Sequence, residues 1–245
     1  MKAATNHFFM WPIGCIFAFA MTACDDGRIG EADVETYEEG YSVRLAGTFS
    51  GTDRWADGYS VVLAGFSDGS EYAVISKALP LNEAEVEMDL NGIGDEVDEL
   101  RLCAVNRLRE SVYDFRTWRI EDLDLQADTV RLQVDAPLEL GMYACLQQGV
   151  FDRTCVACHG AGERPAAGLS LLEGESRRQL LEQPSTVVTG GIRVVPGDAD
   201  GSVLYQMVAT DLSRGMGIDH SDMLAADGTE LKLLKDWMNH GTDKE

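Results

Sequence analysis

Cys155-Val156-Ala157-Cys158-His159 puts two thiols and an imidazole in one short run. The spacing is C-x-x-C-H, the pattern that attaches a c-type haem. Each thiol can form a thioether to one vinyl group of the haem, and the adjacent His can place a ring nitrogen on the iron from the proximal side. Two other chemistries use a C-x-x-C pair. A zinc site needs a second C-x-x-C or an H-x-x-x-H pair, and the chain has neither. A thioredoxin-type dithiol opens a helix within a βαβ pattern, and no such pattern surrounds these residues. The motif predicts one covalent haem c, with Cys155 and Cys158 as thioether residues and His159 as the proximal iron ligand.

The elements that must hold this motif lie beyond Pro137, where the periodicity turns helical. Leu140, Ala144, Gln147 and Phe151 fall on one stripe with Cys145 beside it. That helix feeds directly into the motif, and Gly160 and Gly162 loosen the chain after it. A short helix is expected within 174–182, a turn at Pro196-Gly197-Asp198, and an apolar helix from Val203 capped by Ser202. Asp227-Gly228-Thr229-Glu230 has the form of a capping box. The helix it opens has Leu231, Leu234, Trp237 and Met238 as its buried stripe.

Before Pro137 the pattern is β. Short alternating segments start near Tyr41 and are broken by turn signals such as Asp68-Gly69 and Asn91-Gly92. About seven strands at even spacing predict an antiparallel sandwich of immunoglobulin-like size. Trp55, Tyr59, Tyr113 and Trp118 fit core or edge packing better than a ligand platform.

The N-terminus points to export. One Lys and an apolar run too short to span a bilayer precede Met21-Thr22-Ala23-Cys24 and then Asp25-Asp26. This resembles a bacterial lipoprotein signal peptide over residues 1–23. The resemblance implies lipidation of Cys24 and a lipid anchor on the periplasmic side of a bacterial membrane. Residues 24–40 are acidic, Gly-containing and poor in apolar groups, and read as a tether. Haem attachment outside the cytoplasm agrees with export. Of the six Cys, Cys15 leaves with the signal peptide. Cys103 and Cys145 are left over, either as a disulfide in an oxidising compartment or as two buried thiols.

Composition narrows the partners. The chain of 245 residues carries a formal charge of −22. No basic face is available for phosphates, so nucleic acid is excluded as an expected partner, and anionic lipid would not attract the chain without its anchor. The acid serves solubility first; steering of a cationic partner is the alternative.

Four blocks bring a family into view: FDRTCVACHG, AAGLSLLEG, RVVPGDADGSVLYQMV and ELKLLKDWMNHG, in that order. Together they resemble a planctomycete-type cytochrome c domain, a divergent class I cytochrome, over residues 140–241. The resemblance implies a small all-α fold around one covalent haem, with Cys155, Cys158 and His159 in the roles above. The expected architecture is therefore two-domain. A β-sandwich of unassigned role spans 41–137, and an all-α cytochrome c domain spans 138–245.

The distal ligand departs from the family, whose members carry Met-Pro-Pro shortly before the last helix. Here the stretch Arg214-Gly215-Met216-Gly217-Ile218-Asp219-His220-Ser221-Asp222-Met223 has no Met-Pro. A ligand loop must leave the iron, wrap the haem edge and enter the last helix. Doubling a loop costs only ~0.6 kcal/mol of closure entropy, whereas too short a loop fails on reach. Met216 is favoured on that ground and Met223 is the alternative. His220 would give a bis-His haem of lower potential, and an open iron is the remaining case. The leading functional expectation is a periplasmic, membrane-anchored one-electron carrier rather than an enzyme, working with a redox partner protein. A haem-based ligand-binding or sensing module and an accessory subunit of a larger periplasmic complex are the alternatives.

Overall fold

Strand β1 (Tyr41–Ser50) buries Val43 and Leu45 and leaves their neighbours partly exposed. It is the middle of a three-stranded sheet, between antiparallel β4 (Glu85–Ile93) and parallel β7 (Val130–Glu139). The second sheet has the order β3 (Ile75–Ala78), β2 (Tyr59–Phe66), β5 (Glu99–Asn106), β6 (Ser111–Arg119), antiparallel throughout. This computed structural model describes residues 40–243 except 82, 126–129, 161 and 163. The expected signal peptide, the lipidation residue Cys24 and the tether as far as residue 39 lie outside the described residues.

Two turn-forming signals act differently from expectation. Asn91-Gly92 does not end β4. Tyr41 pairs with Ile93 and Val43 with Leu90, so β4 holds one extra residue there, with Gly92 at φ +73°. That is a β-bulge, and it suits glycine because only glycine enters the left-handed region freely. Pro137 does not end the β region either: β7 runs through it to Glu139, with a register shift between Gly47 and Phe49 on β1. A proline is tolerated in the irregular stretch of an edge strand, where its missing N–H breaks no ladder bond.

The two-domain architecture with an all-α cytochrome c domain is corrected. After Glu139 the helical pieces are few and short. They are α1 (Met142–Leu146), a wide π-turn segment (Gln147–Cys155), α2 (Val156–His159), α3 (Ser176–Leu180), α4 (Val203–Ala209) and α5 (Thr229–Asp236), which ends in π turns (Trp237–Gly241). Between α3 and α4 the chain runs through turns and isolated bridges, Leu181 to Val194, Pro184 to Ile192 and Ile192 to Ser202. Non-helical residues such as Leu171, before α3, and Val194, after it, are buried as fully as helical ones. One apolar cluster joins Leu45, Leu102 and Phe115 of the sheets to Leu146, Leu180 and Trp237 of the helical half. The two halves thus share a core.

Aromatic residues make that junction. The buried Trp55 donates from Nε1 to the Leu140 carbonyl at 2.7 Å, Tyr59 donates its hydroxyl to Asp236, and Tyr113 donates to Gln148 at 3.3 Å. Trp55, Tyr59, Tyr113 and Trp118 serve as packing groups. Of the two alternatives for Cys103 and Cys145 the structure has the second, two buried free thiols. Along β5, Leu102 and Ala104 face the shared core that holds Cys145. Cys103 and Val105 face a separate cluster with Val62 and Phe66. Side chains of adjacent strand residues point to opposite faces, so the two sulfurs lie on different sides of the sheet.

Candidate haem-binding site

The first helical run delivers the motif. Met142, Cys145, Leu146, Val150 and Phe151 bury its inner side, and the π turns of Gln147–Cys155 re-aim its last turn. Gln147 is fully engaged: its amide donates to Asp152 at 2.7 Å and to the Leu171 carbonyl at 2.9 Å, and it accepts from the Ser176 hydroxyl at 2.6 Å. A satisfied buried amide of this kind locks the helix against the segment beyond the motif. Gly160 ends the motif with no room for a side chain, since a Cβ there would sit 2.2 Å from the Val156 carbonyl oxygen.

Cys155, Cys158 and His159 line a cavity of about 340 Å³. That volume is in the range of small-molecule and cofactor sites, ~300–1,000 Å³. Its walls come from the π-turn segment, α2, α3, α4, α5 and the loops between them, with Val150, Phe151, Leu171, Leu180, Val208 and Leu234 among the apolar groups. Arg193 is its permanent cation, and no carboxylate lines it among the described residues. Burial lowers the pKa of that guanidinium, which donates to the Gln179 carbonyl at 2.9 Å.

The His159 ring is held by the Ala166 and Leu169 carbonyls. Its Nδ1 donates to the Ala166 carbonyl at 3.1 Å, a bond that leaves Nε2 as the free lone pair. Burial, more than the neighbouring charges, lowers its pKa and favours the neutral imidazole, the form that binds metals. The His159 carbonyl in turn accepts from the Leu171 amide at 2.6 Å. The thiol environment argues against a thioredoxin-type pair. Cys155 lies inside a helical run that begins at Met142 and continues to His159, and burial pushes its thiol up to about 11. Reactive dithiols have lowered values instead. No group of three or more His, Cys, Asp or Glu side chains among the described residues is arranged to hold a metal ion as zinc ligands would be.

All three distal candidates, Met216, His220 and Met223, line the same cavity. Met216 and Met223 are 50% and 43% exposed. His220 stands with its ring centre 6.2 Å from that of His159, the planes tilted by 45°. The loop that carries it is tied by the buried Ser213, whose hydroxyl accepts from the His220 amide at 2.7 Å and donates to Asp219 at 3.1 Å. The Ser221 hydroxyl beside Asp219 holds that carboxyl below its usual range.

Two expected caps are absent as such. The last helix starts after Gly228 with no side-chain cap. Ser202 turns its hydroxyl to the Asp198 carbonyl and accepts from the Val195 amide, pinning the Pro196-Gly197 turn instead. Arg193 and Ala166 escaped the sequence reading. Arg193 opens the VPG block, a faint signal. The Ala166 carbonyl carries no signal at all, because its role depends on where the backbone passes. Comparison with protein-family models, curated proteins and solved structures finds no match.

Proposed function

We propose that this chain is an exported c-type haem protein that carries single electrons, anchored to a bacterial membrane through lipid on Cys24. The observation that carries the reading is the convergence of Cys155, Cys158 and His159 on one apolar cavity, with the free nitrogen of His159 selected by the Ala166 carbonyl. Both thiols are free and are available for two thioethers. The haem supplies the one-electron couple when bound. The chain's own residues do the rest. The apolar lining excludes water, and Arg193 offers a charge partner for an anionic edge of the ligand. Gln147, Ser176 and Leu171 hold the helix and loop that present His159. Rigid placement of this kind keeps the ligand set the same in both oxidation states. The role of the sheets is that of a covering layer for the same core, with a redox partner protein met elsewhere on an acidic surface.

The test is mass and colour. The mature protein, made in a host competent for cytochrome maturation, should weigh one haem more than its amino acids and lipid, and should show a sharp α-band on reduction. The double variant Cys155→Ala/Cys158→Ala should lose both. A colourless wild-type protein of polypeptide and lipid mass alone refutes the reading.

A further inference from the structure

The cavity carries a second imidazole arranged like the first. His220 donates from Nδ1 to the Ile218 carbonyl at 3.1 Å, as His159 does to Ala166 at the same distance. Each ring therefore keeps Nε2 as its free donor atom. The ring centres are 6.2 Å apart. A metal shared by two imidazoles, with bonds of ~2 Å and each nitrogen about 1.2 Å from its ring centre, sets the ring centres roughly 6 Å apart. The two histidines stand at the separation that one iron between them requires.

We propose that His220 is the second axial ligand, so that the iron is held between two imidazoles. The inference rests on the haem reading above. Met216 and Met223 reach the same cavity, but about half of each side chain faces solvent, a poor place for a thioether that must exclude water from a metal. His220 is also the better anchored: Ser213 and Asp219 fix its backbone and Ile218 fixes its ring.

The experiment uses the full-length haem-loaded protein, with mass spectrometry confirming one haem before any spectrum is read. Oxidised wild type should show the low-spin signals of two nitrogen ligands and no far-red thioether charge-transfer band. The double variant Met216→Ala/Met223→Ala should keep that spectrum. His220→Ala should open the iron, so that the reduced protein binds carbon monoxide at least tenfold faster than wild type. His220→Met should instead raise the reduction potential, since thioether ligation favours the ferrous state. A thioether band in wild type that vanishes in Met216→Ala overturns the assignment while leaving the haem reading intact. So does rapid carbon monoxide binding by wild type. Absence of haem mass overturns both.

Discussion

At the scale of single residues, the buried thiols make the sharpest statement. Cys103 and Cys145 behave as small apolar groups on two faces of one sheet. In the native protein neither should react with an alkylating reagent. After unfolding without reductant both should, as read by mass; a disulfide would leave them unlabelled. Their titration has a consequence for pH. Burial pushes Cys103 from its ordinary 9.0 to about 12 and raises Cys145 in the same direction. Below pH 9 folded and unfolded chains both hold these protons, and stability is insensitive to them. Above it the unfolded chain releases them first, so stability falls as pH rises toward the folded values. Tyr59, raised by burial and by its bond to Asp236, adds to the fall at still higher pH. The urea midpoint should therefore drop between about pH 9 and 12, and a midpoint that rises over that range contradicts the burial of these groups.

At the scale of elements, the loop between β1 and β2 decides whether the sheets and the helices act together. Trp55 leaves that loop, fills the junction and donates to the Leu140 carbonyl one residue after β7 ends. Its ring stands 5.7 Å from Tyr59, which reaches α5 through Asp236. Trp55→Ala removes a buried ring and orphans a carbonyl, and should cost about 3–5 kcal/mol in a denaturant titration. Tyr143 against Trp237, with ring centres 5.0 Å apart, joins the first helical run to the last. Little space is left there: a Cβ on Gly241 would come within 2.9 Å of the Trp237 ring. The W-M-x-x-G ending is thus read as a packing device, and its glycine as the point of closest approach.

At the scale of the whole molecule, a shared core has one thermodynamic signature. The described sheets and helices should unfold in a single transition, with far-UV and near-UV signals coincident. Two separated transitions would show that the halves hold their own cores. How much of this was readable in advance differs by element. β2 was legible as a mostly apolar run, and β5 as a short segment in which Glu99 and Arg101 alternate with Leu100 and Leu102. The bulge at Gly92 was not, because glycine after asparagine serves a hairpin turn and a bulge alike. The helices near the motif were legible in existence but not in extent, because π turns stretch the period that marks a helix.

The chemistry was carried by contiguous residues: Cys155, Cys158 and His159 are neighbours along the chain, and local spacing alone defines what they can bond to. The faces of the cavity, the partner of His159 and the placing of His220 belong to folding in three dimensions. Ala166, Arg193 and His220 meet His159 across loops whose paths no periodicity encodes. Cys103 and Cys145 stay apart for the same reason in reverse: the pleat of β5 points one sulfur away from the core that holds the other. Covalent reach is short and is written in sequence order, whereas packing is long-range and is settled only when the chain closes on itself.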